Sequence, residues 1–295
     1  MQMYIESLEV GSKSLLKGIG DLLLEAGSSR KIGWAVFTGS AGPSFKLLEK
    51  IGEIKYSDYH YFPQPSVDGH SGVVELFVHP NDKNQVIVVF KGRVHFYESE
   101  DIHESVFFSR LAVKMGFEKM IFTNAAGALK PEDAGKIMVI NSTGKSDLLN
   151  PLLGKAVKLN PPGAPRFVST TNLLDPDHVG ISFSLGASEF TDHFIGVGSY
   201  YANPGPDYES KIEVEALRTL EYSAVGMSTA PDLLAAKSMN PKIRLAAFSL
   251  LTNACVGFGD KEEEPDHKGV VSVAIEKDPI FSDFVIRFIE LADQN

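Results

Sequence analysis

Apolar positions along the chain follow two periods, and the switches between them outline its elements. Residues 14–27, SLLKGIGDLLLEAG, repeat Leu and Ile at helical spacing and stop at Gly27, which predicts a first helix. Residues 31–42, KIGWAVFTGSAG, are an apolar run closing in small residues, a strand feeding a tight turn. GVVELFVH (72–79) and QVIVVFKGRVHF (85–96) flank the polar PNDKN and predict a hairpin. A helix is expected over IHESVFFSRLAVKMG (102–116), then strands over KMIFTNAAGAL (119–129) and KIMVIN (136–141). Residues 143–192 carry NPLLG, NPPGAP and LLDPDH and read mainly as long loops with short elements, the kind of segment that serves as a lid or a subunit contact. The pattern then recovers. HFIGVGSYY is a strand, YESKIEVEALRTLEY a helix, SAVGM a short strand, APDLLAAKSM a helix and KIRLAAFSLLTN a strand. Residues 269–293 form a closing helical region. Strand and helix alternate from end to end with no break in composition, so the expectation is one α/β domain over 1–295 with a large mixed sheet.

Composition narrows the setting. With 43% hydrophobic residues in 295, the chain can bury a large core. Its net charge of −10 argues against general binding to nucleic acid or to acidic membranes, although a local site can still hold a small anion. The acidic run at 259–266 reads as a solvated loop. The lone Cys255 permits no intrachain disulfide and no multi-cysteine zinc site, and reads as a buried small hydrophobe. The start of the chain lacks a signal-peptide pattern, and no window approaches the roughly 18 apolar residues of a membrane span. The expected location is cytoplasmic.

The chemistry gathers at strand ends. AVFTGSAG, VVFKGRVHFY, IFTNAAG and AFSLLTN each run from apolar strand into small or polar residues, where open α/β folds bind ligands. Bare N–H groups in such turns can cradle an anion, Ser40 adds a hydroxyl, and Arg93 adds a forked permanent cation. Ser228, after a second short strand, can join the same anion. Each feature also has an ordinary reading: GSAG as a plain turn, Arg93 in a structural ion pair, His70 as a solvated loop residue, Tyr208 as packing. Dinucleotide, P-loop, zincin and nucleophile-elbow motifs are missing, and the histidines lack metal-ligand spacing. From the residues alone, the reading stops at an α/β enzyme with an anion site.

Taken together and in order, GRVHFYE, TNAAGAL, GPDYES, AVGMSTAPD and FSLLTNACVG resemble the trimeric purine nucleoside phosphorylases, over roughly residues 30–275. The resemblance implies a nucleoside phosphorylase-like fold, a mixed and partly barrel-like sheet flanked by helices, assembled as a homotrimer. It implies reversible phosphorolysis of a purine nucleoside, with inorganic phosphate as co-substrate and no metal or organic cofactor. Carried over residue by residue, Ser40, His70, Arg93, His95, Ala125 and Ser228 would hold phosphate. Tyr97, Met227 and His267 would hold ribose. Ala126, Gly127, Tyr208, Glu209, Met227, Thr252 and Asn253 would hold the base. Asn253, Glu209, His95 and His267 would carry catalysis. An amide at 253 points to inosine and guanosine, with a methylthioadenosine or broad-specificity phosphorylase, or an inactive nucleoside-binding homologue, as alternatives. Three departures stand out: GSAGP where the family writes GSGLG, NSTGKSDLLNP where it writes RDHIN, and Tyr208 in place of the usual Phe. Phe167 is the candidate for the aromatic that the family lends to a neighbouring subunit.

Overall fold

The computed structural model describes residues 1–27, 29–39, 42–67, 69–160, 166–255 and 266–294. Nine strands and eight α-helices are described: α1 (Gln2–Glu25), β1 (Lys31–Thr38), β2 (Lys50–Lys55), β3 (Val73–Val78), β4 (Gln85–Lys91), α2 (Phe96–Ser99), α3 (Ile102–Ser105), α4 (Phe107–Met115), β5 (Lys119–Ala128), β6 (Ile137–Lys145), α5 (Pro176–Glu189), β7 (Phe194–Ala202), α6 (Lys211–Thr219), β8 (Ala224–Gly226), α7 (Ala230–Met239), β9 (Arg244–Ala254) and α8 (His267–Ala292).

The strands form a mixed sheet in the order β2-β3-β4-β1-β5-β8-β7-β6-β9, and a further pairing of β5 with β9 closes the last five into a small barrel. The central strands β4, β1, β5 and β9 run parallel, whereas β2, β3 and β4 pair antiparallel. Parallel strands covered on both faces need continuous apolar runs. Residues 34–38 of β1 and 86–90 of β4 are all buried. One apolar layer joins α1, α4 and α7 to the sheet; the other packs α5 and α8 against it through Trp34, Phe248, Phe284 and Phe288. Because β1, β4, β5 and β9 share a direction, their carboxyl ends open on one side, where Gly39, Arg93, residues 125–128 and Asn253 lie.

Four local expectations are corrected. The segment 143–192 is largely irregular with short 3-10 pieces, as read, but it also holds the last residues of β6, to Lys145, and α5, a 14-residue helix. Its start is well formed, with Pro176 in the first turn and the Asp175 carboxylate accepting from the N–H groups of Asp177 and His178 at 3.0 and 3.1 Å. Glycines 180 and 186 and serines 182, 184 and 188 conceal its apolar period. The first helix begins at Gln2 rather than Ser14, because Gly11 and Ser12 occupy its buried face and blur the pattern. The strand β2 went unread: it is an edge strand burying only Ile54, with Lys50, Glu53 and Lys55 exposed and Ile51 and Gly52 half-buried. Residues 102–116 form two short helices with a break at Val106.

Candidate active site

Strand β4 delivers the first group of side chains. Its last residue is followed by Gly92 at φ +100°, where a Cβ would stand 2.8 Å from the Gly72 nitrogen. Only glycine allows the 70–72 loop to lie this close. The close approach brings His70 Nδ1 to 2.6 Å from the Arg93 carbonyl. A carbonyl only accepts, so Nδ1 carries the proton and Nε2 keeps its lone pair, facing Gly39. Burial, with His95 alongside, pushes His70 down to about 4, so the ring is neutral near pH 7. His95 is lowered as well, mainly by burial. The imidazoles of His70 and His95 stack at 5.0 Å, and His95 stacks on Tyr97 at 4.8 Å.

Glu98, which sequence reading missed, orients His95. Its carboxylate accepts from the His95 backbone N–H at 2.6 Å and lies 3.1 Å from Nδ1, while its other oxygen accepts from Ser66 N–H and Oγ. Burial opposes its ionisation, but these hydrogen bonds win and hold it at about 2. The signal available was its place three residues after His95, a capping-box spacing.

Arg93 is buried and reaches inward. Nη1 donates to Ser228 Oγ at 2.5 Å and to Thr229 Oγ1 at 3.3 Å, and Nη2 donates to the Thr123 carbonyl at 3.2 Å. Thr229 caps α7 at φ +69°, an uncommon conformation for a β-branched residue. Asn124 Nδ2 donates to its hydroxyl at 2.9 Å. The arrangement turns Ser228 and the amino end of α7 towards the guanidinium, a setting that favours an anion.

The second group stands further along β5. Thr123 touches Arg93, whereas Gly127, four residues on, faces Asn253: a Cβ at 127 would lie 3.6 Å from Asn253 Nδ2. At about 3.3 Å per strand residue these two backbone positions are roughly 13 Å apart along β5. Asn253 Oδ1 accepts from Thr252 Oγ1 at 3.1 Å, and Nδ2 donates to the Ala254 carbonyl at 3.2 Å. Glu209 lies in the loop before α6, which begins at Lys211 rather than at Tyr208 as its sequence predicts. The Ser210–Glu213 capping box sets that start and leaves Tyr208 and Glu209 free to face the cavity. Glu209 is buried and burial raises its carboxyl, while Asn203 Nδ2 donates to Oε1 at 2.5 Å and partly offsets this. Tyr208 is 39% exposed, at the mouth.

His70, Arg93, His95, Tyr97, Ala125, Ala126, Gly127, Tyr208, Glu209, Met227, Ser228, Thr252, Asn253 and His267 all line one cavity of about 350 Å³. Ser40 and the acidic run at 259–265 lie outside the described residues. Asn124, Pro206, Val225, Cys255 and Val270 also line the cavity, though sequence reading assigned them no role. The Cys255 thiol is pushed up to about 12 by burial, so it stays protonated. Among the described lining residues Arg93 is the one fixed cation. One end thus offers a guanidinium, a hydroxyl and two imidazoles, suited to a multi-oxygen anion. The other offers an amide and a carboxylate, suited to the polar edge of a planar heterocycle.

The mixed, partly barrel-like sheet is that of the phosphorylases, and the family model described as the Phosphorylase superfamily matches residues 34–290. Purine nucleoside phosphorylase 1 of Bacillus subtilis is 31% identical over 234 residues, 79% of this chain and 82% of that protein. Purine nucleoside phosphorylase of Bos taurus is 30% identical over 243 residues, covering 80% and 81%. In fold, the chain is similar to Schistosoma mansoni purine nucleoside phosphorylase in complex with inosine, with TM-score 0.74, 24% identity and coverage of 97% and 96%. It is also similar to isoform 2 from that organism in complex with cytosine and ribose-1-phosphate, with TM-score 0.73, 25% identity and coverage of 88% and 90%. The chain belongs to the purine nucleoside phosphorylase family.

Proposed function

We propose that the protein catalyses reversible phosphorolysis of 6-oxopurine nucleosides, yielding free base and ribose 1-phosphate. The observation that carries this reading is the two-ended cavity, with Arg93 and Ser228 at one end and Glu209 and Asn253 at the other. Phosphate is assigned to Arg93, Ser228, His70, His95 and the Ala125 backbone, and by the family resemblance also to Ser40, which lies outside the described residues. The neutral His70 offers Nε2 as an acceptor, which suits a phosphate that still carries a proton. Ribose is assigned to Tyr97, Met227 and His267. The base is assigned to Ala126, Gly127, Tyr208, Met227, Glu209, Thr252 and Asn253.

In this reading the bond from sugar carbon 1 to the purine lengthens first, and its electron pair passes into the ring. Asn253 Nδ2 donates to the ring nitrogen where negative charge collects, and Glu209 accepts from N1–H, both placed before the reaction begins. A phosphate oxygen then bonds to carbon 1 from the face opposite the departing base. No enzyme-bound covalent intermediate is involved, in keeping with a cavity whose one thiol stays protonated. An amide at 253 can donate to a ring nitrogen or a 6-oxo group, whereas a carboxylate there would accept from a 6-amino group. This favours inosine and guanosine over adenosine and methylthioadenosine.

Incubation with inosine, with and without phosphate, tests the reading. Hypoxanthine is expected only with phosphate, matched mole for mole by ribose 1-phosphate. Equal release without phosphate would mark a hydrolase, and no release from any purine nucleoside would mark a binding protein; either result overturns the reading.

A further inference from the structure

Glu209 does not stand alone at the base end. Asn203 lies behind it, outside the cavity lining, and donates from Nδ2 to Oε1 at 2.5 Å. The backbone fixes Asn203. It follows the last residue of β7, Ala202, which pairs with Gly226 of β8, and the Asn203 N–H donates to the Gly226 carbonyl at 2.8 Å. The amide is therefore anchored to the barrel, and it orients a carboxylate carried on a loop.

The consequence is chemical. A 6-oxopurine with hydrogen at carbon 2 presents one donor to Glu209, N1–H. A 2-amino-6-oxopurine presents two side by side, N1–H and the 2-amino group, a pair that fits a carboxylate with both oxygens open. Here Oε1 already accepts from Asn203, so a 2-amino group must share that oxygen with the Asn203 amide while Oε2 takes N1–H. We propose that Asn203 is a positioning residue that sets specificity: by occupying one Glu209 oxygen it tunes the site to hypoxanthine-type bases over guanine-type bases. This rests on the assignment of Glu209 to the base.

The surroundings give Asn203 a second effect. Burial raises Glu209, and Asp207 on the same loop and Glu213 on α6 raise it further; the Asn203 hydrogen bond acts in the opposite sense. Tyr200 of β7, Tyr208 and the Cys255 thiol also feel the Glu209 charge, and His267 of α8 lines the same cavity. Loss of the Asn203 donor therefore moves Glu209 ionisation to higher pH. The ionised carboxylate accepts from N1–H more strongly than the neutral acid does, so hypoxanthine binding retreats from the acid side.

The test is calorimetric titration of the full-length protein with hypoxanthine and with guanine across the acid-to-neutral range, for wild type, Asn203→Leu and Asn203→Ala. Two results are expected in the variants. The acid limb of hypoxanthine binding moves to higher pH, and the ratio of guanine to hypoxanthine affinity at neutral pH rises by about threefold or more. Limb and ratio both unchanged in folded variants would overturn the inference; if Asn203→Leu fails to fold, Asn203→Ala decides. A wild type that binds hypoxanthine yet shows no phosphate-dependent cleavage refutes the reaction proposed above and leaves this inference open to the same titrations. A wild type that binds neither base overturns it.

Discussion

At Asn253, two hydrogen bonds decide what the base end of the cavity can accept. Thr252 donates to Oδ1 and so fixes the amide with Nδ2 as its donor side. Replacing that donor by a carboxylate oxygen puts negative charge beside the atom where the departing purine gathers its own. Asn253→Asp should lower kcat/KM for inosine at least about tenfold, roughly 1.4 kcal/mol of transition-state stabilisation, in steady-state phosphorolysis. An undiminished kcat/KM would remove Asn253 from the base end. Arg93, His95 and Tyr97 were legible in the sequence because they stand within five residues, and Glu209, Ser228 and Asn253 because each sits in a short ordered motif. Glu98 and Asn203 were not legible. They touch other residues of the site rather than its contents: Glu98 bonds His95, three residues before it, and Asn203 bonds Glu209, six residues after it, contacts that neither apolar period nor motif marks as functional.

Among the elements, the strands were legible wherever both faces are buried, since β1, β4, β5 and β9 read as unbroken apolar runs. The elements that escaped, β2 and α5, each expose much of their surface and rely on contacts remote in sequence. Lys50 of β2 bonds Glu75 of β3, and Asp175 at the start of α5 bonds Arg244 of β9. Two predictions belong to this scale. Phe248 on β9 is fully buried between Phe284 and Phe288 of α8, with ring centroids at 5.2 and 5.1 Å. Phe248→Ala should cost about 3–5 kcal/mol in denaturant unfolding. Beyond the end of α8, Asp293 accepts from Trp34 of β1 and Lys119 of β5, and meets the buried His79 at 2.9 Å. Burial opposes its ionisation, but hydrogen bonds from His79, Lys119 and Trp34 prevail and hold it at about 2. Its pKa is thus lower folded than unfolded, where an aspartate titrates near 3.9. The stability it adds is complete above about pH 4 and is lost as pH falls towards 2. Asp293→Asn should therefore be less stable than wild type at neutral pH, with the difference closing over that window in unfolding measured at each pH.

The whole molecule places the Arg93 contact and the Asn253 contact about four strand residues apart along β5, a strand of the small barrel closed by β9. That closure agrees with the partly barrel-like sheet implied by the family resemblance, but apolar periodicity could not show it, because β5 and β9 are separated by more than a hundred residues and pair through backbone groups indifferent to side-chain identity. No described helix is long and apolar enough to cross a membrane. Phe167, the residue that the family resemblance offers as a subunit contact, is 88% exposed. If it is covered by a neighbouring subunit of a trimer, light scattering should give three times the mass of the chain; the mass of one chain would exclude that assembly. The arrangement of the cavity makes its sharpest demand on stereochemistry. Phosphate held at the Arg93 end can reach sugar carbon 1 only from the side opposite a base held by Asn253 and Glu209. Phosphorus and proton NMR of the sugar product from β-inosine should therefore show α-ribose 1-phosphate formed first, whereas the β-anomer or free ribose as the first product would contradict the two-ended site.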